Sequence, residues 1–162
     1  MAKKSTKMLP LGKGKLEFTV RNTYPAPVKK VWEAITQAKH TQKYFVDKVD
    51  GDFTSQLEPV WWQWKQWGRF AQWPTVMQKE KKLEFVWEDH KKKYLTTVTF
   101  TLKKKGKLTE LTIHERGWKQ SDLANAFDNC SGWTIFLDYL KAYLMYGKDM
   151  RTEKASKQTV KN

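Results

Sequence analysis

The residues able to do chemistry are few and scattered. One thiol, Cys130, stands just ahead of an apolar run that begins at Trp133. Three imidazoles, His40, His90 and His114, lie in different segments, without the spacing that brings ligands together around a metal. A Cys130–His114 nucleophile pair needs an orienting third group and an oxyanion site, and no motif around either residue supplies them. No glycine-rich loop offers itself to a phosphate. What remains is a carboxylate. In "LTELTIHERGW" (108–118), strand alternation puts Leu111, Ile113 and Glu115 on one face and Glu110, Thr112 and His114 on the other. A carboxylate on the apolar face is either a desolvated group that orients a ligand hydroxyl or takes a proton, or a rim group paired with lysine. No second carboxylate accompanies it. The expectation is therefore no catalytic residue beyond the weak candidate Glu115, no metal and no cofactor.

The aromatic residues form a denser constellation. "VWWQWKQWGRFAQW" (60–73) holds five tryptophans in fourteen positions of a chain with formal net charge +14. Indoles interleaved with cations are the composition of a single-stranded nucleic-acid groove, where bases stack and phosphates are neutralised. They are equally the composition of a strand that lines an apolar cavity. Alternation separates Val60, Trp62 and Trp64 from Trp61, Gln63 and Lys65, so the tryptophans divide between two faces. No nucleic-acid-binding motif accompanies them, and a nucleic-acid partner is not expected. The inward set continues through Phe85 and Trp87 of "KLEFVWED" and Phe100 of "YLTTVTFTL". Leu111 and Ile113 follow, then Trp133, Phe136, Leu137 and Leu140 at helical spacing. These eleven residues, Trp62 and Trp64 included, are the candidate ligand lining. Whether they enclose an open pocket or fill a core stays open at this level.

The elements that must position them can be read from periodicity. "LEFTVRNTY" (16–24) alternates as a half-buried strand. "PAP" breaks it, and Pro27 suits the first turn of a helix over 27–37, with Val28, Val31, Trp32 and Ile35 on one side. "HTQKYF" reads as a further helical turn. Strands follow over 57–65 and 70–79, joined by a hairpin at Gly68, with Pro74 implying an edge or a bulge. Three more strands lead to a helix that starts at Asn129 or Ser131, or runs on from near Ser121, and ends at Gly147. Strand, helix, meander and long helix make an α+β domain whose sheet needs that last helix as its cover.

Three stretches together resemble the START-like (SRPBCC) superfamily: "YPAPVKKVWEAIT", "KKLEFVWED" with "TTVTFTL", and "LTELTIHERGW" with "GWTIFLDYLKAYLMYGKDMR". The last pair is similar to the branch named for the C-terminal domain of the activator of the heat-shock protein 90 ATPase. The resemblance implies a helix-grip fold, a curved antiparallel sheet around a long C-terminal helix with a cavity between them. It implies binding of a hydrophobic, ring-containing small molecule or a lipid. The alternatives it carries are a co-chaperone-like protein of the stress response with a chaperone partner, and a cyclase-type enzyme using Glu115.

The bulk properties agree with one domain. A length of 162 residues and 40% hydrophobic content suffice for a core, and no apolar run is long enough to span a membrane. The N-terminus lacks the apolar stretch of a secretory signal, and a single cysteine suits a reducing compartment, so a cytoplasmic location is expected. The two ends hold +8 of the +14. Residues 1–15, with Pro10, Gly12 and Gly14, read as a flexible basic tail, 16–151 as the domain, and 152–162 as a second tail.

Overall fold

A computed structural model describes residues 8–88, 91 and 93–151; His90 and most of both basic ends lie outside the described residues. The elements are β1 (Gly14–Tyr24), α1 (Val28–Thr36), α2 (Ala38–Tyr44), β2 (Lys48–Val49), β3 (Val60–Trp64), β4 (Gly68–Gln78), β5 (Lys82–Glu88), β6 (Leu95–Lys105), β7 (Leu108–Gly117) and α3 (Leu123–Tyr146). All strand pairs are antiparallel, in the spatial order β1-β7-β6-β5-β4-β3-β2. The meander gives consecutive neighbours from β2 to β7, and β1 closes on β7.

Alternation makes one sheet face apolar, and the 24-residue α3 covers it. At about 1.5 Å per residue that helix is roughly 36 Å long, enough to run along the whole sheet. Val60, Trp62, Leu83, Phe85, Val98, Phe100, Leu111 and Ile113 point inward to meet Trp133, Phe136, Leu137 and Leu140 in one buried cluster. The Tyr24 hydroxyl donates to the Leu137 carbonyl at 2.9 Å, which fastens β1 to the helix. Gly147, at φ 63°, ends α3 in the left-handed conformation that favours glycine, its N–H on the Tyr143 carbonyl. α1 and α2 plug the end of the sheet, with Tyr44 stacked on Tyr143 at 5.1 Å.

This is the α+β domain read from the residue pattern, with the helix-grip architecture that the resemblance implies. Pro27 precedes α1 directly, the "HTQKYF" turn belongs to α2, and Gly68 opens β4 at φ 92°. Pro74 sits beside a bulge inside the sheet, where the register shifts between Pro74 and Val76. α3 starts at Leu123, so it runs on from near Ser121 rather than beginning at Asn129 or Ser131.

The reading of Pro10, Gly12 and Gly14 as marks of a flexible segment is corrected. Leu11 bridges Leu95, the Gly12 N–H reaches the Leu95 carbonyl at 2.7 Å, and β1 begins at Gly14. The glycines are there for close approach. A Cβ on Gly14 would lie 1.7 Å from the Trp118 carbonyl oxygen, and one on Gly12 2.4 Å from that of Gly117. Gly14→Ala is therefore expected to cost at least about 2 kcal/mol, since backbone must move to admit the methyl group. Gly51→Ala, where a Cβ meets nothing within 4 Å, should stay within about 0.5 kcal/mol of the parent. Urea denaturation of the two variants compares them directly.

Candidate ligand cavity

A cavity of about 360 Å³ opens between the β3–β4 hairpin, the end of β5 and the N-terminal half of α3. Its walls are aromatic. Trp64 and Phe70 project inward from the two strands of the hairpin, and Trp67 overhangs from the turn between them. Trp87 comes from β5, Trp133 from α3 and Phe45 from the residue after α2. The rings meet edge to face or tilted, the geometry that their quadrupoles favour. Trp67 and Phe70 each lie 6.0 Å from Trp64, Phe70 lies 6.3 Å from Trp87, and Trp87 lies 5.3 Å from Trp133. The Trp64 indole N–H donates to the Phe45 carbonyl at 3.0 Å, which locks that ring in place.

The helix wall is different in kind. Asp128, Ser131, Gly132 and Ile135 follow helical spacing along one side of α3 and face the cavity, with Asn129 and Trp133 beside them. Gly132 is the notable residue, because a Cβ there would meet nothing within 4 Å. Glycine inside a helix costs about 1 kcal/mol relative to alanine. Here its missing side chain leaves space over the helix.

Glu115 lies behind the indole walls. It is 0% exposed, on the inner face of β7 as alternation predicts, so it is neither a rim carboxylate nor paired with lysine. Four side chains donate to it: Thr96 at 2.6 Å, Trp133 Nε1 at 2.8 Å, Trp87 Nε1 at 3.0 Å and Asn129 Nδ2 at 3.2 Å. Burial pushes its pKa up, against the pull of these donors. Trp87 and Trp133 both border the cavity and both direct an N–H to Glu115. The carboxylate is thus a strut that sets the orientation of two cavity walls.

The other chemical candidates are dispersed. The Cys130 thiol is pushed up by its burial and by the neighbouring Glu115, the opposite of an activated nucleophile. His114 is on the outer face of the sheet beside Glu17 at 3.4 Å, and His40 contacts the Tyr143 hydroxyl at 2.6 Å. Among the described residues no group of three His, Cys, Asp or Glu side chains could hold a metal ion. Gln72, on the inner face of β4 opposite Val60 and Trp87, is fully buried, and neither atom of its amide has a hydrogen-bonding partner.

The eleven residues expected to line a pocket are all on the inner side, but they separate into two sets. Trp64, Trp87 and Trp133 border the cavity. Trp62, Phe85, Phe100, Leu111, Ile113, Phe136, Leu137 and Leu140 are packed against one another in the core behind it. Phe45, Trp67, Phe70 and the polar side of α3 were not in the expected set. Phe70 had a signal, since it pairs with Trp62 across the hairpin. Asp128, Ser131 and Gly132 are polar or small, and a search for apolar periodicity passes over them. The outward tryptophans pack as well: Trp61 meets Trp73 at 6.5 Å and is covered by the Arg69 guanidinium at 4.2 Å.

Glu115→Leu is expected to lose at least about 3 kcal/mol of stability, because it leaves two indole N–H groups, an amide and a hydroxyl unpaired in the interior. Glu115→Gln keeps an acceptor oxygen and should lose less. The sign of the pH effect follows from the raised folded-state value. Protonated Glu115 suits the fold, so the parent protein loses stability as pH rises from 4.5 through that value. Subtracting the Glu115→Gln profile isolates this loss, and urea midpoints between pH 4 and pH 8 measure it.

Comparison with known proteins agrees with this architecture. DynU16, a protein of the dynemicin biosynthetic locus, superposes with a TM-score of 0.70 at 24% identity over 83% of this chain, which spans 49% of that protein's length. The Aha1 dimer of Colwellia psychrerythraea gives 0.70 at 18% identity, over 82% of this chain and 98% of that one. Protein MLL2253 of Mesorhizobium loti gives 0.72 at 20% identity, over 80% and 96%. No curated protein matches the chain. A family model does, across residues 25–145, and it takes in both the hairpin tryptophans and the Gly132-Trp133 step of the covering helix. The chain therefore belongs to the family of activator of Hsp90 ATPase homolog 1-like proteins.

Proposed function

We propose that this protein binds an apolar, ring-bearing small molecule in the cavity between the β3–β4 hairpin and α3. The observation that carries the reading is an open space of about 360 Å³ lined by six aromatic residues, with Gly132 on its helix wall. Tryptophan-rich cores ordinarily close on themselves, because each indole left wet forgoes ~2–3 kcal/mol of burial. Here Trp64 is buried while Trp67, 63% exposed, extends the same wall outward. The volume is at the small end of the range for ligand sites, so a molecule of one or two rings fits it. The neighbouring Trp62, Phe85 and Phe100 back the walls and keep them rigid, which reduces the ordering cost on binding.

The glycine supplies the test. Gly132→Leu replaces a helix-disfavoured residue with a favoured one and directs its side chain into the space. Thermal stability should hold or rise, by up to about 1 kcal/mol, while binding is lost. An NMR titration with naphthalene and indole reads the second half. In the parent, amide shifts are expected over 64–70, 87–88 and 128–135, and Trp64→Ala should weaken binding more than it lowers stability. Unchanged spectra in those segments, with Gly132→Leu behaving as the parent does, would sink the proposal.

A further inference from the structure

We infer that the ligand this cavity selects is a cation, an ammonium or quaternary ammonium group carried on an apolar ring-bearing body. The inference rests on the cavity being a ligand site, and deepens that reading by naming the charge of its occupant.

Lining charge is the first observation. The chain has 31 lysines and arginines against 17 acids, yet among the described residues no lysine, arginine or histidine borders the cavity. The ionisable groups that do are Glu88, at the end of β5, and Asp128, on the first half of α3. Asp128 is on the α3 wall, whereas alternation puts the side chain of Glu88, one residue after Trp87, on the other face of β5. The described lining of this concavity is without a cation in a chain dominated by cations. A carboxylate or phosphate ligand would find no counter-charge there, whereas a cation would find Asp128.

The tryptophan lining is the second observation. Trp64, Trp67, Trp87 and Trp133 present indoles, which have the strongest attraction of the aromatic side chains for a cation above the ring. Several rings around one space form the kind of cage that suits a bulky, weakly hydrated ammonium group. Two of these rings are also polarised from behind. Trp87 and Trp133 donate their N–H groups to the same carboxyl, Glu115, and an indole N–H can only donate. Hydrogen bonding to that acceptor draws the N–H proton away from the ring and enriches the π-system of an indole that borders the cavity. Glu115 makes no contact with a ligand in this scheme; it is a positioning residue that acts through the two indoles.

The test uses three probes of nearly one shape: phenyltrimethylammonium, its neutral isostere tert-butylbenzene, and benzenesulfonate. Each is titrated into the full chain at 150 mM salt and followed by amide shifts over 64–70 and 128–135. The cation is expected to bind at least tenfold more tightly than the neutral isostere, and the anion not at all. The overall charge of +14 repels a cation, so such a preference has to come from the cavity itself. Asp128→Asn should lower the ratio of the cation and neutral affinities about threefold. Equal or tighter binding of tert-butylbenzene, or any preference for benzenesulfonate, overturns the cation inference and leaves the apolar cavity reading intact. If none of the three moves those amides, both readings fall.

Discussion

The structure depends on burying one carboxyl group. Glu115 lies at the centre of the sheet, where β7 meets β6, with β5 beyond and α3 above, and a group from each of these neighbours donates to it. An unpartnered carboxylate at 0% exposure would be intolerable, so the four donors are obligatory and their geometry is correspondingly strict. That requirement sets the rotation of α3 about its own axis, because Asn129 and Trp133, one turn apart, must both face the same oxygen atoms. It also sets the tilt of two indole rings. The polar contact is small in area, yet it gives the apolar contacts around it a single arrangement.

The aromatic core then explains why a cavity persists at all. Trp62, Phe85, Phe100, Trp133 and Phe136 pack at ring separations of 5.4 to 6.4 Å and leave little freedom to collapse. Large rigid rings fill volume in coarse units. Where the hairpin rises away from the helix they run out, and Gly132 leaves the remainder empty. A leucine there would have filled it. The opening is thus a joint property of a stiff core and one residue with no side chain.

Charge is distributed against the trend of the composition. The outer face of the sheet is laced with pairs such as Glu84 with Arg116 and Glu110 with Lys105, in water, where each is worth little. Inside, Glu115 is held by neutral donors, and Asp128 is on the wall that the aromatic rings share with α3. Acids such as Glu84 and Glu110 pair with the basic excess over the surface, while the described lining of the cavity holds no lysine, arginine or histidine. That distribution is why net charge by itself says nothing about what enters the cavity.

Strand parity and helical spacing determined much of this protein from the chain alone. Two-residue alternation put Trp62, Trp64, Phe85, Phe100 and Glu115 on one face, and the stripe from Trp133 to Leu140 identified the helix that covers them. Both readings are local, because a side chain's face follows from its neighbours in sequence. What alternation could not decide is how far apart two facing surfaces stand. Trp62 and Trp64 have the same parity, yet one is core and the other borders a cavity, since the hairpin leaves the helix between them. Gly12 and Gly14 read as loose chain, but their reason is the backbone of Trp118 and Gly117, about a hundred residues away in sequence. The donors to Glu115 come from three other elements for the same reason. Which face a residue takes is written in its neighbours; what meets it there is settled only when distant segments are brought together.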